Sequence, residues 1–62
     1  MELLDIGQVS QMLNIPVRTL RLWRMKGEGP CAALLGKHLR YRRDEIERWV
    51  REREKEPAGR AR

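Results

Sequence analysis

The break at Asn14-Ile15-Pro16 limits this chain more than any other feature, because two apolar-periodic segments meet across it with almost no linker. Upstream, Ile6, Val9, Met12 and Leu13 recur at helical spacing, with polar Gln8 and Gln11 between them. Asp5 is an N-cap residue type, and Gln8 stands where its capping-box partner belongs. Ser10 lies on the apolar side of this segment, where a small residue lets a second helix approach. Asn14 tolerates the left-handed conformation that ends a helix, while Pro16 opens a new helix but cannot continue the old one. A first helix is therefore expected over about 6–13. A second runs from about Pro16 to Lys26 and is stopped by Gly27-Glu28-Gly29-Pro30.

Helices joined by Asn14-Ile15 alone must pack at a steep angle, which is helix-turn-helix geometry. On the second helix Leu20 and Trp23 share the inner side, and Arg18, Arg21, Leu22 and Met25 share the outer one. Next, Cys31 to Leu35 and Leu39-Arg40-Tyr41-Arg42 read as a small hairpin turning at Gly36-Lys37-His38. Leu39 and Tyr41 point inward there, Arg40 and Arg42 outward. A third helix starts near Asp44 with Ile46, Trp49 and Val50 on one stripe. Asp44–Arg48 and Glu47–Arg51 sit at a favourable pairing distance along it. The expected core is Val9, Leu13, Leu20, Trp23, Tyr41, Ile46 and Trp49. The fold is thus mainly α with a small β-hairpin, in one domain over 1–56, followed by a flexible basic tail at 57–62.

Size and composition exclude several functions. A 62-residue chain buries a small core and leaves little room for a substrate cavity of about 300 Å³. One cysteine and one histidine can make neither an internal disulfide nor a structural zinc site, so no metal or cofactor is expected. His38 has no nucleophile or orienting acid arranged around it, Cys31 has no paired base, and an enzyme is not expected. No run approaches the ~20 apolar residues of a membrane span, and the first residues lack the pattern of a secretory signal. A cytosolic location follows as the expectation.

Charge is distributed unevenly. The chain carries a formal +5, yet residues 18–43 hold eight bases against the single acid Glu28, a local +7. Such a central block is the electrostatic footprint of a polyanion-binding surface. The mixed charges of 44–56 read as a solvated helix face, which keeps the third helix off that surface. Trp23, Tyr41 and Trp49 can in principle stack on unpaired bases. Their periodicity with Leu20, Leu39 and Ile46 assigns them to the core instead.

The stretch from Leu3 to Trp23 resembles the opening of the excisionase/MerR-like winged helix-turn-helix domains. So does Leu35-Gly36-Lys37-His38-Leu39-Arg40-Tyr41-Arg42 with the following Arg43-Asp44-Glu45-Ile46-Glu47-Arg48-Trp49-Val50. The resemblance covers about 3–50 and rests chiefly on Thr19-Leu20-Arg21, Trp23, Gly36, Arg40-Tyr41-Arg42 and Trp49. The family usually has a serine-like cap where Pro16 stands, a glycine at Asn14, and a polar or basic residue at Leu22. A leucine at that outer position can contact a thymine methyl or pack against a neighbouring protein molecule.

What the resemblance implies is a monomeric winged helix-turn-helix, with a two-stranded wing, that binds double-stranded DNA selectively. The second helix enters the major groove, presenting Arg18, Thr19, Arg21, Leu22 and Met25; arginine can there donate two hydrogen bonds to guanine. Which of Arg18 and Arg21 reads a base and which holds a phosphate stays open. The wing and its flanks, Arg24, Lys26, Lys37, His38, Arg40 and Arg42, follow the backbone or an adjacent minor groove. Excisionase-type proteins bind tandem sites cooperatively and bend DNA for an integrase. The expected partners are therefore DNA, an integrase and neighbouring copies of the chain, with no membrane or small-molecule ligand. The chain ends soon after the domain, which favours this architectural role over a ligand-sensing regulator. A small stand-alone transcriptional regulator on the same scaffold is the alternative.

Overall fold

The computed structural model describes residues 1–55. Their order is β1 (Leu3–Leu4), α1 (Ile6–Leu13), α2 (Val17–Lys26), β2 (Ala33–Leu35), β3 (His38–Arg42) and α3 (Arg43–Glu54). The tail expected at 57–62 lies outside the described residues.

The capping box of α1 forms in both directions. The Asp5 carboxylate accepts from the Gln8 amide at 2.8 Å, and Gln8 Oε1 accepts from the Asp5 amide at 2.9 Å. Such a cap is worth about 1 kcal/mol. At the other end Asn14 adopts φ 57°, ψ 43°, the left-handed conformation its residue type allows. The Ile15 amide then donates back to the Ser10 carbonyl at 3.1 Å, the six-to-one bond of a Schellman turn. Ser10 does more than leave space: its hydroxyl donates to the Ile15 carbonyl at 2.6 Å, locking the turn from both sides. Pro16 caps α2 from outside, so the helix begins one residue later than expected, at Val17.

The hairpin pairs Leu34 with Leu39 and Leu35 with His38, leaving only Gly36-Lys37 as its loop. His38 therefore belongs to β3 and not to the turn. The sheet also has a third strand that the sequence does not announce. Leu3 pairs with Arg42 and Leu4 with Tyr41, giving the antiparallel order β1-β3-β2 in place of a two-stranded wing alone. The Arg43 amide extends this pairing by donating to the Glu2 carbonyl at 2.9 Å. A two-residue strand is too short to show a period, and its partner lies near the far end of the chain.

The buried core is Leu4, Val9, Leu20, Tyr41 and Ile46, one side chain from every element except β2. Of the other expected core residues, Leu13, Trp23 and Trp49 are only half-buried. Leu13 and Trp23 flank the core cluster, and the two indoles lean on each other at 5.7 Å with a 46° tilt. Five small elements enclose too little volume to cover an indole, so the pair forms a partly wet seam between α2 and α3. The i, i+4 pairs expected on α3 do not form either. Asp44 is taken by Arg42 at 2.8 Å, Glu47 by Arg43 at 3.2 Å, and Arg48 by Glu45 at 2.9 Å. Two arginines at the helix start reach those carboxylates first.

Candidate nucleic-acid interface

At about 100° per residue, Val17, Arg21, Met25, Arg18 and Leu22 fall in that angular order within about 140° of the α2 surface. Leu20 and Trp23 lie opposite, turned to the core and the indole seam. This division follows from the alternation of apolar and basic residues in the helix, and the structure bears it out at the level of exposure. Leu20 is buried, while Leu22 is 47% and Met25 80% exposed. The five outer residues line one shallow depression, with Met25 near its centre and a guanidinium on either side. Val17 was absent from the expected set; it lies one turn before Arg21, and extending the stripe by that turn would have found it.

The stripe continues toward the hairpin. Arg21, Arg24 and Met25 share a second depression with Ile6 and Leu39, so the α2 surface passes directly to the base of β3. Arg24 lies close enough to Tyr41 to act on its phenol. Burial pushes that phenol above the ordinary tyrosine value, and the nearby guanidinium partly opposes the shift. Thr19 is half-buried beside the stripe, with its amide tied to the Pro16 carbonyl at 3.0 Å. Lys26, in the last turn, is exposed.

The basic residues of the hairpin divide into two groups. Lys37 and His38 are exposed at its end. Arg40 and Arg42 lie on the sheet face opposite Leu39 and Tyr41, because side chains alternate along a strand. They share a depression with Cys31, Glu45 and Arg48. Arg40 is half-buried and donates to the Leu39 carbonyl at 2.8 Å. Arg42 is engaged by Asp44, whose carboxyl this guanidinium holds below the usual carboxylate range. Arg48 stays exposed, as a solvated α3 face requires, but it also borders this depression; no local signal brings a helix residue to that side of the sheet.

Ion pairing separates these cations further. Among the described residues, Arg18, Arg21, Arg24, Lys26, Lys37, Arg40 and Arg51 form no ion pair, whereas Arg42, Arg43, Arg48 and Lys55 each meet a carboxylate. Four of these seven cations lie on α2 and two on the hairpin, so most of the uncompensated charge is carried there, as a polyanion-binding surface requires.

A family model for the helix-turn-helix domain matches residues 3–54, nearly all of the described chain. The chain belongs to the helix-turn-helix domain family. No curated protein and no solved structure matches it. Family membership supports DNA as the partner of this helix-turn-helix domain, with α2 in the position of its second helix. Its three helices and three-stranded antiparallel sheet make a winged helix-turn-helix, β2 and β3 forming the wing. No helix among the described residues is long and apolar enough to cross a membrane.

Proposed function

We propose that this helix-turn-helix domain is a sequence-selective duplex-binding protein of the excisionase kind, which occupies neighbouring sites, bends the DNA between them and biases an integrase toward excision. One observation supports its duplex-binding part. The α2 stripe combines Arg18 and Arg21, free of carboxylate partners, with an exposed surface long enough to enter a major groove. Arg18 and Arg21 read or position against base edges. Lys37 and His38 meet the backbone beyond the groove, and Arg24 and Lys26 flank it. A single module of this size makes few base contacts, so useful affinity comes from several copies on adjacent sites. The resemblance to excisionase/MerR-like domains over about 3–50 fits this role, and a small transcriptional regulator on the same scaffold is the alternative.

The test is a footprinting titration over DNA from the protein's own locus, with a phased-bend gel on the protected fragment. Regularly spaced protections that appear together, bend the duplex and adjoin integrase sites are expected. A single compact site over a promoter, without bending, would overturn the excisionase role and point to a transcriptional regulator. On the protected site, Arg21→Ala is expected to cost about 1–3 kcal/mol of binding if that guanidinium reads a base. Equal weakening on every sequence would assign it to a phosphate.

A further inference from the structure

The α2 stripe holds more apolar surface than polyanion binding requires. Phosphate contact needs only cations, yet Met25 stands exposed between Arg21 and Arg18 around the helix, and Leu22 just beyond Arg18, at 80% and 47% of their free surface. Single exposed apolar residues are commonplace on any protein. Here the two share one depression with half-buried Val17, on the surface that carries the unpaired guanidiniums. A matching partner must therefore offer apolar groups a few ångströms from anionic ones. The major groove of duplex DNA offers one apolar group at its base edges, the C5-methyl of thymine. Duplex RNA has no such methyl, and its narrow major groove does not admit side chains.

We infer that Leu22 and Met25 are specificity-determining residues that read thymine methyl groups, so that the preferred site places thymines beneath the centre of α2, beside the bases or phosphates met by Arg18 and Arg21. This rests on the reading that α2 lies in the major groove. It adds the class of base recognised. Met25, midway around the stripe, reaches deepest; Leu22, at its edge, covers a neighbouring pair.

The experiment changes the DNA and not the protein. The full chain selects its preferred duplex from a random pool, and that duplex is then made twice, once with thymine and once with deoxyuridine throughout. The two differ only in C5-methyl groups. With two methyls buried, Kd is expected to rise by about tenfold on the deoxyuridine duplex. Leu22→Ala and Met25→Ala together should bind both duplexes alike, while Arg21→Ala should keep the difference. Both substituted side chains are exposed, so an unchanged thermal melt is expected for the double variant.

Equal binding of the two duplexes by the unaltered chain would overturn the inference and leave the DNA-binding reading standing. So would a double variant that keeps the thymine preference but loses cooperation between adjacent sites, since the apolar pair would then meet a second copy. Failure to select any duplex over random DNA would overturn the DNA-binding reading itself.

Discussion

Among the described glycines, Gly29 is the least open to replacement. Its φ is +76°, and a Cβ built there would lie 2.8 Å from Trp23 Cε3 and 3.2 Å from Trp23 Cβ. Gly27 has nearly the same backbone, φ +74°, but nothing within 4 Å of the equivalent point. Alanine at Gly27 is expected to cost about 1 kcal/mol from the backbone alone. Alanine at Gly29 adds displacement of the indole, for a total of about 2–3 kcal/mol. In a domain of this size each kcal/mol lowers Tm by about 4–8 °C. Thermal melts of the two variants check the difference, and equal losses would mean that the Trp23 contact contributes nothing. The Gly27-Glu28-Gly29-Pro30 run was legible as a helix stop. That one of its glycines also seats a tryptophan was not, because close approach depends on where the chain returns after the turn.

At the scale of elements, what could be read in advance was whatever is encoded locally. The Asp5–Gln8 box, the left-handed Asn14, the extent of α1 and the outer stripe of α2 depend on residues within a turn or two of each other. β1 does not. Leu3-Leu4 has no period, and its strand exists only because β3 offers an edge and Tyr41 a buried neighbour. The candidate site divides in the same way. The α2 residues could be placed on one face by counting, whereas the turning of Arg40 and Arg42 toward Arg48 required the fold. The importance of β1 is testable. Leu4 is only 5% exposed, and Leu4→Ala is expected to cost about 2–5 kcal/mol, comparable to the whole stability of a domain this small. Urea unfolding would show the variant partly unfolded without denaturant. A midpoint close to the parent's would mean that β1 merely rests on the sheet.

For the whole molecule, the decisive arrangement is that the buried core takes one side chain from each of five elements and none from β2, whose three residues are all exposed. The five contributing elements share one cluster of buried side chains, so they are expected to open together. The amides bridging β2 and β3 should open separately, through local fraying. Hydrogen exchange is expected to run at least about tenfold faster at those amides than at the core positions Leu20 and Ile46. Uniform protection would show that the hairpin is held as firmly as the rest. The division also bears on how the protein meets a partner of variable shape. Duplexes differ in groove width from one sequence to the next, and a uniformly stiff domain would fit few of them at both ends. On the proposed reading, α2 rides on the shared core while β2, which adds nothing to that core, leaves the wing able to follow groove width, so tolerance at one end need not blur discrimination at the other.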